Sequence, residues 1–200
     1  MLYLATETGL YEIDEAAVTC RKLLDVDSAR RVCDLDGTLY CAAEKGLWSS
    51  EDNGASWQQV FQPADEKIVT ALEISTQGQI YLGTEMSAVF FSPNRGEHWQ
   101  RSEGLEELPS SSEWSFPPRP DTHHVRWLHS DPGDPRRLYA AIEAGALLRS
   151  LDRGISWLDR VEGGPIDTHH LAIHPARPDR VWSAAGDGIF CSEDKGDTWE

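Results

Sequence analysis

The sequence predicts an all-β repeat protein made of short antiparallel meanders. Three observations carry that reading. An eight-residue phrase occurs four times: SEDNGASW (Ser50 to Trp57), SPNRGEHW (Ser92 to Trp99), SLDRGISW (Ser150 to Trp157) and SEDKGDTW (Ser192 to Trp199). The copies start at 50, 92, 150 and 192, so they are spaced by 42, 58 and 42 residues, and a fixed period in this range marks a repeat architecture. The runs between the copies are short and rich in β-branched and aromatic residues, with Gly, Pro and Asp turns between them. No apolar pattern of 3.6-residue period reaches helical length.

The phrase reads as a tight turn between two strands. Its frame is Ser-x-Asp-x-Gly-x-Ser/Thr-Trp, carried by Ser50, Asp52, Gly54 and Trp57, by Ser150, Asp152, Gly154 and Trp157, and by Ser192, Asp194, Gly196 and Trp199. The copy at Ser92, Gly96 and Trp99 departs, with Asn94 for Asp and His98 for the hydroxyl residue. A short Asp or Asn side chain accepts hydrogen bonds from backbone N–H groups just ahead of it. The Gly supplies a positive φ, and the Trp buries a large ring as the next strand begins. On these residues the chain resembles the Asp-box, or BNR-repeat, β-propeller proteins. These include sialidases, xyloglucanases, sortilin-type receptors, photosystem II assembly factors and uncharacterised bacterial proteins labelled sialidase-like or glycosyl hydrolase. The resemblance implies a β-propeller of four-stranded antiparallel blades with the boxes at the turn between strands C and D. It leaves function open, because the family mixes enzymes with binding proteins.

With strands named A to D in each repeat, the elements follow in order. Repeat one (1–29) has B at Leu2 to Thr6, C at Leu10 to Ile13 and D at Val18 to Leu24, without A or a box. Repeat two (30–66) has Arg30 to Leu35, Thr38 to Ala43, Gly46 to Ser50 and Ser56 to Val60. Repeat three (67–121) has Ile68 to Ser75, Gln79 to Thr84, Ala88 to Ser92 and His98 to Ser102. Repeat four (122–166) has His124 to Ser130, Arg137 to Ile142, Ala146 to Ser150 and Ser156 to Val161. Repeat five (167–200) has His170 to His174, Arg180 to Ala185 and Gly188 to Ser192, and stops as D begins. Four to five blades of a single propeller are therefore expected, as the front part of a ring of about six to eight.

Composition narrows the partners. The chain has 200 residues and a net charge of −16, which argues against nucleic acid and anionic membranes and leaves cations, basic proteins or neutral ligands. No long apolar run and no leader is visible, so a cytoplasmic protein is expected. Cys20, Cys33, Cys41 and Cys191 lack paired CxxC spacing and sit in strand patterns, which suggests buried, reduced thiols. No cofactor is expected, and a divalent metal is the one candidate.

In a meander the A–B and C–D turns share one face, and the B–C and D–A connections share the other. Three features converge on the second face. The B–C turns carry Glu7, Glu44, Glu85 and Glu143 at one place, with Asp187 one position on in repeat five. The connection from repeat three to four is 16 residues longer than the others (58 against 42) and holds Trp114, Phe116 and Arg119 among prolines. Long loops on rigid scaffolds carry function, and exposed aromatics there would stack on a sugar or a peptide side chain. The D–A connections into repeats four and five both read Asp-Thr-His-His, giving Asp121, His123 and His124, then Asp167, His169 and His170. Histidine beside carboxylate suits proton transfer or metal binding, so His123, His124, His169 and His170 are the metal candidates.

These residues form the expected ligand face. A sialidase would need an arginine triad, and the Arg-Ile-Pro stretch that supplies one arginine in that family is absent. A glycoside hydrolase would need two carboxylates at fixed separation; Glu85 and Glu143 are the candidates. The preferred expectation is a non-enzymatic module binding a protein or a small-molecule or carbohydrate ligand. The alternative is a sialidase-like or glucanase-like glycoside hydrolase with carboxylates on the same face, partly beyond residue 200.

Overall fold

The computed structural model describes residues 2–64 and 67–200. Met1 and the expected end of repeat two at residue 66 lie outside the described residues. The chain divides into two compact units, Met1–Ala71 and Leu72–Glu200.

The first unit holds two antiparallel sheets. One has the order β1-β2-β3, with β1 Leu2–Thr6, β2 Gly9–Asp14 and β3 Thr19–Leu24. The other has the order β4-β5-β6-β7, with β4 Arg31–Leu35, β5 Thr38–Ala43, β6 Gly46–Ser50 and β7 Gln58–Phe61. Leu10, Leu24, Ala29 and Cys41 form their buried contact, with Trp48 and Trp57 packed against it. The central strands β5 and β6 are almost wholly buried, while β4 on one edge is mostly half-buried and β7 on the other starts exposed, so burial peaks in the middle of the blade.

The second unit carries three more meanders. β8 (Val69–Ile74) runs across the residue where the units divide and pairs with β9 (Ile80–Thr84), followed by β10 (Val89–Ser92) and β11 (Gln100–Arg101). Next come β12 (Val125–Ser130), β13 (Leu138–Ile142) and β14 (Ala146–Ser150), and then β15 (Thr168–His174), β16 (Arg177–Ala185) and β17 (Gly188–Ser192). Every residue of β13 is buried, and Ala140 and Ala141 in it are inaccessible to solvent. Small side chains there let the layers on either side approach closely. Tyr139, Ala141, Leu147, Leu171, Ile173 and Val181 form the core between the last two meanders.

The four octapeptides close the C–D turns by one repeated set of bonds. The Ser50 hydroxyl donates to Asp52 Oδ1 at 2.8 Å and accepts from the Gly54 N–H at 2.8 Å. Asp52 also accepts from the Ser56 N–H at 2.8 Å and the Ser56 hydroxyl at 2.6 Å. The copies at Ser150 and Ser192 repeat these contacts. In the departing copy Asn94 Oδ1 takes the Asp role, accepting from Ser92 and from the His98 N–H. These bonds, with Ser56 first, hold the Asp52 carboxyl at about 2, and those from Thr198 do the same for Asp194. Two successive residues have positive φ in each turn, Asn53 and Gly54 for example at 55° and 82°. With the Ala55 N–H donating to the Asp52 carbonyl at 3.3 Å, that is a tight turn of the type I′ kind, which needs positive φ at both central residues, set inside the longer C–D loop.

Some expectations are corrected. The D strands of repeats two and three begin after the Trp, because the N–H two residues before each strand is spent on the turn's Asp or Asn. Strand D of repeat four is reduced to one bridge between Arg149 and Leu158, since Asp159 and Arg160 turn away to hold the long loop. In repeat five the outer pairing is the mutual bond of Cys191 with Glu200. Strands β15 and β16 start earlier than expected. Cys20 is exposed and Cys33 half-buried, because they lie on strands near the sheet rims; Cys41 and Cys191 are buried as expected.

Candidate functional site

Backbone bonds tie each of the first four B–C turns to the D–A connection that follows its blade. In the first unit the Glu7 carbonyl accepts from the Ser28 N–H at 2.8 Å and the Glu44 carbonyl from the Val69 N–H at 3.0 Å. Glu7 is exposed and Glu44 half-buried. In the second unit Glu85 bridges His124, and the Met86 N–H donates to the His123 carbonyl at 2.7 Å. The Gly145 N–H likewise donates to the Ile166 carbonyl at 2.8 Å. The turn after Glu85 has no glycine, and Met86 and Ser87 take φ of 60° and 35°, an arrangement that costs backbone energy and is common at functional sites.

The long loop folds back as a lid. A 3-10 turn, Pro109–Glu113, opens it, and Asp159 clamps that turn by accepting from the Ser110 N–H at 2.8 Å and the Ser110 hydroxyl at 2.5 Å. Trp114 is 6% exposed, donates from Nε1 to Ser110 Oγ at 3.0 Å and lies where a Cβ on Gly145 would meet its ring at 2.9 Å. The expectation of an exposed stacking aromatic is therefore corrected for Trp114: its ring is the plug that seats the lid. Arg160 donates to the Gly145 carbonyl at 2.9 Å and pairs with Glu113. Beyond Trp114 the chain reverses over Phe116 to Thr122, with the Phe116 N–H donating to the Thr122 carbonyl at 2.7 Å.

The reversal delivers two side chains to the site. Half-buried Phe116 meets the His124 ring edge-on, with centroids 5.1 Å apart. Arg119 forms a two-pronged pair with Glu85 at 2.9 and 3.2 Å and lies over the Phe116 ring at 5.5 Å. Asp121 is exposed.

The two Asp-Thr-His-His segments split their histidines. His124 Nε2 lies 2.5 Å from Glu143 Oε2, and His169 Nε2 lies 3.4 Å from Glu143 Oε1 and 3.3 Å from Asp167 Oδ1. His123 instead stands edge-on to Trp114 at 5.8 Å, and His170 packs at a tilt of 45° against Trp127 at 4.3 Å. Burial lowers the pKa of His124 below its usual 6.5 against the opposing pull of Glu143. Asp167 Oδ1 also accepts from the Ala144 N–H at 2.9 Å. The structure thus brings together Glu85, Phe116, Arg119, His124, Glu143, Asp167 and His169. It leaves His123 and His170 against indole rings and Asp187 exposed.

Sequence reasoning missed three features: the bulge that aims the already named His169, the lid anchors Asp159 and Arg160, and Glu73. The register of β15 slips between Thr168 and His170, so His169 is the extra residue of a bulge, a device that re-aims a side chain; the doubled His-His was its only trace. Asp159 and Arg160, expected in a strand, anchor the lid. Glu73, 6% exposed, accepts from the Ser130 N–H at 3.0 Å and the Ser130 hydroxyl at 2.8 Å, tying β8 to β12, with His129 3.7 Å away. Beside the lid a shallow cleft is lined by Ser87, Arg101, Ser102, Leu105 and Glu106, and the Ser87 hydroxyl is buried there without a hydrogen-bond partner.

No family model and no curated protein matches the chain. Among solved structures it is similar to the GH74 xyloglucanase from Xanthomonas campestris, with 18% identity, a TM-score of 0.73, and coverage of 98% of this chain and 35% of that one. The GH74 enzyme of Niastella koreensis gives 14% identity and 0.71, with coverage of 98% and 35%. YCF48 bound to D1 peptide gives 15% identity and 0.64, with coverage of 95% and 60%. The chain thus spans about a third of the length of the two GH74 enzymes. Among the described residues no helix is long and apolar enough to cross a membrane. At these identities the likeness establishes the fold alone: the five meanders are blades of a β-propeller.

Proposed function

We propose that the chain is a segment of an Asp-box β-propeller that binds a protein or carbohydrate ligand on its B–C and D–A face without hydrolysing it. The observation that carries this reading is the convergence of three successive blades on that face, through Arg119 with Glu85, His124 with Glu143, and His169 with Glu143 and Asp167. The two carboxylates that hydrolysis would require are engaged by this chain's own side chains. Glu85 meets a guanidinium through both oxygens, and Glu143 sits between two imidazoles. A glycosidase instead keeps two carboxyls facing the scissile bond from opposite sides. The rim formed by Arg119, Phe116 and His169 offers the charged, aromatic and hydrogen-bonding groups a ligand needs. The similarity to xyloglucanases and to a propeller bound to a peptide supports both ligand classes.

The test incubates the chain with chromogenic glycosides and xyloglucan oligosaccharides, follows products by chromatography, and measures retention of the same glycans and of peptide arrays. Retention without product is expected. Product release that Glu85→Gln or Glu143→Gln abolishes would overturn the binding reading in favour of a hydrolase.

A further inference from the structure

We infer that Glu143, Asp167 and His169 form a binding site for a divalent first-row transition ion of the Zn2+ or Co2+ class. One donor atom from each of Glu143, Asp167 and His169 lies within 4.8 Å of the other two. His169 Nε2 stands 3.4 Å from Glu143 Oε1 and 3.3 Å from Asp167 Oδ1. A tetrahedral ion with bonds of about 2.1 Å needs donors about 3.4 Å apart, so the two separations to His169 change little on binding.

The surroundings are arranged for orientation. Glu143 turns its other oxygen to His124, and His124 is buried, so the carboxylate is held from behind. The Ala144 N–H fixes Asp167 from one side. On the other side the bare backbone of Gly186 allows so close an approach that a Cβ there would stand 2.1 Å from Asp167 Oδ2. Outer contacts of this kind set the geometry of metal-binding carboxylates. The β-bulge brings His169 to them.

Charge points the same way. The basic side chains in ion-pair range of Glu143 and Asp167, among the described residues, are His124 and His169. Neither is a lysine or an arginine, so the two carboxylates share the site without a permanently charged side-chain partner, which a divalent cation would supply. One imidazole and two carboxylates suit Zn2+, Co2+ or Mn2+. Because His169 is 43% exposed at its side chain, water or a ligand oxygen completes the coordination. The inference does not depend on the glycan-or-peptide reading, and its test contains neither.

The test treats the full chain with chelator, removes the chelator, and titrates CoCl2 and then ZnCl2 by calorimetry and visible absorption. One Co2+ per chain with a tetrahedral-type absorption, displaced by Zn2+, is expected. His169→Gln and Asp167→Asn should each weaken binding by at least about tenfold, and His170→Gln, which touches Trp127, should leave it unchanged. Circular dichroism checks that the variants fold. In the parent alone, Mn2+ should broaden the ring resonances of His169 and His124 before those of His98 and His174. No saturable binding, binding unchanged in His169→Gln and Asp167→Asn, or broadening that starts at His98 or His174 would each overturn the inference.

Discussion

Replacing Trp114 with Ala should release the lid while leaving the blades folded. The ring is 6% exposed. Burying an aromatic of this size removes roughly 150–250 Å² from water, or about 4–6 kcal/mol at ~25 cal/mol per Å² as an upper bound. Measured Trp-to-Ala losses in cores run at about 3–5 kcal/mol. The lid's other anchors remain, namely Asp159 on Ser110, Arg160 on Glu113 and the Gly145 carbonyl, and Arg119 on Glu85. Loss of ~3–5 kcal/mol from lid closure corresponds to amide exchange faster by about 10²- to 10⁴-fold, at ~1.4 kcal/mol per tenfold. Hydrogen–deuterium exchange reads this directly at Ser111, Phe116, Arg119 and Thr122, whose N–H groups all bond within the loop. Exchange in β13 should not change, because local opening need not unfold the blades. Unchanged exchange in the lid would refute the seating role of Trp114. Equal acceleration in β13 would show that the ring belongs to the global core and that the lid is no separate unit.

The turns make a pH prediction. Because Asp52 and Asp194 sit at about 2 when folded, below the ordinary 3.8, their stabilisation is present above about pH 4 and is lost as pH falls towards 2. Thermal melts across that window should slope less steeply in Asp52→Asn/Asp194→Asn, and an unchanged slope would contradict the assignment. At Asp152, Ala removes three accepted hydrogen bonds worth a net ~0.5–1.5 kcal/mol each. A fall of about 3–18 °C in melting temperature is expected at ~2–4 °C per kcal/mol. Asp152→Asn should cost less than half of that, as Asn94 fills the same role in the second copy; equal losses would count against this. Glu73→Ala strands the buried N–H and hydroxyl of Ser130, costing ~2–5 kcal/mol, whereas Glu73→Gln keeps an acceptor and should lose under about half as much by denaturant titration.

Fold legibility came from the turns. Their bonds are local, within eight residues, so the Ser-x-Asp-x-Gly frame carries its own geometry and sets the strand positions around it. β5, β6, β9 and β14 fall within a residue of expectation for that reason. The site was only partly legible. Histidines and carboxylates announced themselves by repetition, but which histidine of each pair faces the cluster depends on a bulge and on indole rings at Trp114 and Trp127. Trp114 among prolines looked like a displayed aromatic because composition does not reveal that Gly145 leaves a hole for it. Asp159 and Arg160 lie in an unremarkable polar run, and their partners are some 47 to 49 residues away in sequence for the lid contacts. Contacts of that range leave no local pattern.

The central claim is that ligand is held on the B–C and D–A face, and the most direct test compares three chains on the same glycan and peptide arrays. These are the parent, a face variant Arg119→Ala/Glu143→Gln, and a variant of the C–D turns, Ser156→Ala/Thr198→Ala. The account predicts that signals seen with the parent vanish in the face variant and persist in the turn variant. Signals that survive in the face variant, or disappear only in the turn variant, would contradict it.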